Sequence, residues 1–152
     1  MDIGVHVINT LHFWFPNNRV KEIVAINEGY GYEVEENAGA VARFDNGMIA
    51  LLDASYNTIL SVSFEIRGDK GILYVLDTLY QDYDGKVILR SFNNYTFYTF
   101  YGENQYVAEI KDMERAIKEG KKPATSGLDA LEDMRVIEGW YKSAMENRLI
   151  FL

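Results

Sequence analysis

Apolar residues in the first fifteen positions, MDIGVHVINTLHFWF, recur at helical spacing. At about 100° per residue, Ile3, Trp14, Val7, Leu11, Phe15, Ile8 and Val5 share one broad arc. Gly4 stands within that arc, which predicts close approach by another backbone. Asp2, His6, Asn9 and Thr10 fall together on the remaining side, with Phe13 among them. Pro16-Asn17-Asn18 ends the helix, and the pattern then changes to period two.

Val20–Tyr32 reads as a strand rich in β-branched residues. Glu35–Asn46 alternates, with Ala38, Ala40, Ala42 and Phe44 on one face. Small residues there predict a closely packed neighbour, and the first helix is the obvious one. Asp45-Asn46-Gly47 predicts a hairpin, because Asn-Gly suits the positive φ angles of a type I′ turn. The return strand, Met48–Tyr56, has Met48, Ala50, Leu52, Ala54 and Tyr56 on one face. Ile49, Leu51, Asp53 and Ser55 line the other. Further strands are read at Ile59–Gly68, Ile72–Leu76, Lys86–Phe92 and Tyr95–Tyr101, the last two flanking an Asn93-Asn94 turn.

Helical spacing returns at Asn104–Glu119, with Val107, Ile110, Met113 or Glu114, and Ile117 in register. Gly120 stops this helix and Pro123 lies beyond. Ser126 followed by Asp129 resembles a capping box. It opens a second helix through about Met145, read with Leu131, Met134, Ile137, Tyr141 and Ala144 as its buried stripe. Leu149–Leu152 closes as a short strand. Strands grouped apart from helices give an α+β class. The expected architecture is a mostly antiparallel, open-faced sheet of about six or seven strands with helices on one face. Residues 1–152 read as a single domain. The uncovered sheet face, with Ile49, Leu51 and tyrosines such as Tyr74 or Tyr80, is expected to form an oligomer interface.

Composition narrows the partners. A formal charge of −8, from 23 acids against 15 bases, argues against nucleic acid or an anionic membrane. With no cysteine, disulfides, thiolate metal sites and cysteine nucleophiles are excluded. No run approaches a membrane span and no signal peptide is visible, so a cytoplasmic location is expected.

The candidate chemistry lies on the first helix. Asp2 and His6, at i and i+4, share one face a turn apart. An imidazole titrates near neutrality, and a carboxylate can hold one ring nitrogen while the other exchanges a proton with substrate. The same pair also suits a purely structural role, with Asp2 as a capping acid. A metal site built from Asp2, His6 and His12 is disfavoured, because His12 lies about 120° around the helix from His6. His12 reads as a boundary residue.

Several stretches occur in a telling order: DIGVHVIN at 2–9, ENAGAVARFDNGMIA at 36–50, IRGDKGIL at 66–73, GKKPATSGLDAL at 120–131 and WYKSA at 140–144. In that order they resemble the C-terminal domain of the Gfo/Idh/MocA oxidoreductases, the glucose–fructose oxidoreductase and inositol dehydrogenase group. The resemblance implies the substrate-binding and oligomerisation half of an NAD(P)-dependent enzyme acting on a sugar, polyol or cyclitol hydroxyl. It implies His6 as general acid/base, Asp2 as its support, and Asn9 and Thr10 as substrate contacts. Asn9 stands where the family often has a second acid, so a proton relay there is not expected, although an amide can still bond a hydroxyl. It implies a homodimer or homotetramer assembled through the open sheet face.

NAD or NADP would belong to an N-terminal Rossmann half, and no strand–GxGxxG–helix unit occurs in this sequence. The chain alone is therefore expected to bind no cofactor, to hold no metal and to be inactive. The chain is expected to be a fragment or a truncated gene product. The alternative is a stand-alone, non-enzymatic module that binds a polyol or drives assembly. An in-frame or neighbouring Rossmann segment would favour the enzyme half.

Overall fold

The computed structural model describes residues 2–59, 62–77 and 84–152. Their element order is α1 (Gly4–Trp14), β1 (Val20–Glu28), β2 (Asn37–Phe44), β3 (Ile49–Ser55), β4 (Ser63–Gly68), β5 (Gly71–Leu76), β6 (Asp84–Ser91), β7 (Asn94–Tyr101), α2 (Gln105–Glu119), α3 (Gly127–Glu146) and β8 (Ile150–Phe151). The class is α+β and every strand pair is antiparallel. The strands divide into two sheets of four, ordered β3-β2-β1-β8 and β4-β5-β6-β7. Alternation marks strands but does not say which neighbour each will choose. β3 ends at Ser55, and β4 pairs forward with β5 rather than back with β3. Two compact units result: residues up to Thr58 with Thr125–Leu152, and Ile59–Ala124.

In the first unit the covered sheet face is the one the small residues announced. Ala38, Ala40, Ala42 and Phe44 are buried with Ile23, Ala25 and Leu52. Ile8 from α1 and Val136, Ile137 and Trp140 from α3 complete that core. α1 lies against α3 and β3, and α3 against β1. Phe15 meets Phe44 edge to face, with ring centroids 6.4 Å apart. β8 pairs only with Glu22 and Ile23 of β1. Beyond it, the Ala25 amide donates to Ser143 Oγ at 2.9 Å, so α3 satisfies a group that the short strand leaves open.

Two local expectations are corrected. The β2–β3 hairpin forms, but only Gly47 has positive φ, at 87°. The Gly47 amide donates to the Phe44 carbonyl at 3.0 Å, closing a three-residue loop rather than a type I′ turn. On α3 the buried stripe is Asp133, Val136, Ile137, Trp140 and Ser143, while Leu131 and Met134 are exposed. An acid within the buried stripe shifted the apparent apolar phase by about one residue, roughly 100°. The capping box stands: the Asp129 carboxylate accepts the Ser126 amide at 2.7 Å.

In the second unit, the β6–β7 turn lies at Phe92-Asn93, one residue earlier than expected, with Phe92 at φ 41°. Asn104 caps α2 through the Tyr106 and Val107 amides, and Gly120 ends it at φ 64°. The α2 stripe Val107, Ile110, Met113 and Ile117 is exposed. Tyr74 lies in β5, on the second sheet rather than beside Ile49 and Leu51, and Tyr80 lies outside the described residues.

Candidate functional site

α1 presents its polar residues in two groups. One faces inward toward α3. Asp133, nearly two turns into α3, is 4% exposed. Its Oδ2 accepts the Asn9 amide Nδ2 at 2.8 Å, and its Oδ1 meets His12 Nδ1 at 2.5 Å. Both carboxylate oxygens are thus engaged by residues three apart on one helical face. A carboxylate this far from water requires such partners. His12, read as a boundary residue, is the ring of a buried pair. Asn9 spends its amide on that carboxylate. An acid at position 9 would set two carboxylates against each other, which accounts for the amide here.

The other group faces outward. Thr10 Oγ1 donates back to the His6 carbonyl at 2.7 Å, a helix-internal bond. The His6 side chain is exposed, and its ring has no hydrogen bond or ion pair among the described residues. Asp2 does not contact it. The Asp2 carboxylate instead accepts the Tyr56 hydroxyl at 2.8 Å. That bond and the adjacent negative charge push the Tyr56 phenol up from its ordinary value. Of the four expected site residues, His6 lies on α1 and Asp2 precedes it, with no hydrogen bond or ion pair between them. Asn9 and Thr10 are each tied to protein groups.

A small depression opens at the N-terminal end of α1, lined by Asp2, Gly4, Glu35, Ala38, Ser55 and Tyr56. His6 is not in its wall but follows one helical turn later, a rise of about 5–6 Å. Glu35 is shared with α3, where Tyr141 Oη donates to it at 2.6 Å. Burial and this bond to a carboxylate push the Tyr141 phenol up to about 12. Burial raises the Glu35 carboxyl, but the hydrogen bonds it accepts, that from Tyr141 among them, outweigh this and hold it below its ordinary value. Tyr56, Glu35 and Tyr141 were not singled out as site residues by sequence. Asp133 left one signal, an acid followed at three, four and seven residues by Val136, Ile137 and Trp140.

The described residues do not fit a dinucleotide. The Tyr30 and Gly31 amides, a pair that could face a phosphate, both donate to the Glu36 carboxylate. Gly39 is mid-strand and Gly47 is in the hairpin loop. Among the described residues no three His, Asp or Glu side chains converge as metal ligands. No helix among them is long and apolar enough to cross a membrane.

Fold and site together define a class: an open-faced α+β domain whose first helix carries an exposed histidine beside a small acidic depression. Residues 1–74, a little under half of the chain, match the family described as the GFO/IDH/MocA C-terminal domain. Solved structures extend the likeness in fold over the rest. The aldose-aldose oxidoreductase from Caulobacter crescentus, complexed with glycerol, aligns at TM-score 0.89 and 22% identity over 100% of this chain and 47% of its own. An Agrobacterium radiobacter oxidoreductase in complex with NAD+, L-tartaric acid and magnesium aligns at 0.78 and 20% over 98% and 47%. UDP-N-acetylglucosamine 3-dehydrogenase from Acidithiobacillus ferrooxidans aligns at 0.83 and 15% over 94% and 46%. The chain spans about half the length of these structures.

Proposed function

We propose that this chain is the substrate-binding and oligomerisation half of an NAD(P)-dependent oxidoreductase acting on a sugar, polyol or cyclitol hydroxyl. The observation that carries the proposal is the division of α1. Asn9 and His12 are fastened to Asp133, and His6 is exposed, its ring without a hydrogen bond or ion pair among the described residues. Its role is to accept the proton of a substrate hydroxyl on oxidation and return it on reduction. Asp2, fixed by Tyr56, supports the positive charge that then forms on the ring. Glu35, Ser55 and Tyr56, at the depression, supply acceptors and hydroxyls that suit a polyol. That the fold's relatives include an aldose-aldose oxidoreductase holding glycerol and an oxidoreductase holding NAD+ supports the reading. The nicotinamide would be seated by residues other than those described, and no step at it is assigned to them.

Assembly is proposed through the open face of the first sheet. Val24, Ile26, Val41, Ile49, Leu51 and Phe151 form an exposed apolar surface there. With the chain alone, NADH and NADPH fluorescence titrations are expected to show no saturable binding. In a longer protein that carries the nucleotide-binding half, His6→Ala is expected to lower kcat/KM by about 10²–10⁴. Unchanged turnover would remove His6 as the acid/base.

A further inference from the structure

The second sheet has two unlike edges. β4, SFEIRG, carries Glu65 and Arg67 as an ion pair. β7, NYTFYTFY, has no charge, no proline and no glycine, and all eight of its residues are exposed. Edge strands are normally protected by charge, proline, a bulge or a cover, because their free backbone groups accept another strand. Among the described residues β7 has none of these. Its aromatics are ordered along the strand. Tyr95 stacks with Phe97, centroids 6.5 Å apart, on one face, and Tyr98 with Phe100, at 6.2 Å, on the other. Arg90 of β6 lies over the Tyr95 ring, 5.6 Å from its centroid.

The hairpin register fixes which groups are free. Ser91 and Asn94 close the two-residue turn as partners, followed by Leu89 with Thr96 and Val87 with Tyr98. In an antiparallel ladder these alternate residues exchange both bonds with β6, so Tyr95, Phe97, Thr99 and Tyr101 direct their amides and carbonyls to the open edge.

We infer that β7 is a strand-addition site, and that its occupant is β7 of a second copy of this chain, antiparallel about Tyr98. In that register Phe97 faces Thr99 of the second copy, and Tyr95 faces Tyr101. On the opposite face Thr96 faces Phe100, and Tyr98 faces its own equivalent. Every outward backbone group from Tyr95 to Tyr101 is then paired, giving about eight hydrogen bonds. Each phenylalanine meets a small hydroxyl residue and each tyrosine a tyrosine, the kind of pair that stabilises sheets. Charge selects the same edge. Two copies each carrying −8 repel, and β7 is a surface where like charges do not meet. The two-fold closes this contact at two copies, because each β7 edge is consumed. This contact is separate from the open face of the first sheet and does not rest on the proposed enzyme role.

The chain has no cysteine, so a single introduced thiol reports the contact directly. In the two-fold register Tyr98 opposes itself in a non-hydrogen-bonded pair, with Cα atoms about 4.5 Å apart, within disulfide reach. Under mild oxidation Tyr98→Cys is expected to run mainly as a covalent dimer on a non-reducing gel, and Tyr95→Cys as a monomer. In analytical ultracentrifugation Thr99→Lys is expected to lose the β7 contact, while Leu51→Lys keeps it. Circular dichroism of each variant guards against unfolding. A wild-type monomer at high micromolar concentration would overturn the inference. So would equal cross-linking at positions 95 and 98, or a Thr99→Lys protein that associates like wild type.

Discussion

α1 carries two histidines that packing separates. His12 lies against a carboxylate that is nearly removed from water, and His6 is exposed, with its ring unengaged among the described residues. They stand six residues apart, about 120° around one helix, which separates their faces but does not name the partner of either. The distinction comes from α3, whose Asp133 reaches both Asn9 and His12 and fixes how α1 is turned about its axis. One side of the helix is thereby structural, and the other is available for chemistry.

The contrast is broken most severely at its buried end. His12→Ala leaves the Asp133 carboxylate buried with Asn9 as its remaining partner from α1. Breaking a buried pair from one side costs about 3–5 kcal/mol, and urea unfolding is expected to show a loss of that order. Asn9→Asp is next. It replaces a donor with a second carboxylate beside Asp133, and a loss of about 2 kcal/mol is expected from the same measurement. His6→Ala is expected to change stability by no more than about 0.5 kcal/mol, since its ring contacts nothing that folding depends on. A loss as large as that of His12→Ala would erase the distinction between the two rings.

The tyrosines give a pH signature. A phenol whose folded value is raised contributes stability that is fully present below its unfolded value of about 10. For Tyr141 that contribution is lost as pH rises through about 12. Tyr141→Phe is therefore expected to flatten the alkaline limb of the stability profile. Tyr56→Phe, at an exposed pair, is expected to leave the unfolding midpoint unchanged and to free the Asp2 carboxylate.

Much of the fold was legible because periodicity and turn chemistry are local. The Ala38-Ala40-Ala42 face, the Asn104 and Gly120 ends of α2 and the Ser126–Asp129 box all occur where the pattern places them. What was not legible depends on partners distant in sequence. β4 could pair with β3 or β5, and its alternation is the same either way. The α3 stripe was misphased because Asp133 occupies a core position, where a polar residue reads as surface until its partners 121 and 124 residues earlier are known. At the site, the helix begins at Gly4, so Asp2 precedes it and the i, i+4 pairing with His6 on one helix face does not form. The Asp2–Tyr56 bond spans 54 residues and had no local sign.

The most direct test of the division of α1 is a two-histidine NMR titration. His6 and His12 are the chain's two imidazoles, so their ring C–H signals can be assigned with one His→Ala variant each. With glycerol and then myo-inositol as added polyols, the His6 signals are expected to shift saturably while those of His12 stay fixed. Shifts at His12 alone, or at neither ring up to molar glycerol, would contradict the assignment of His6 to the working side of the helix.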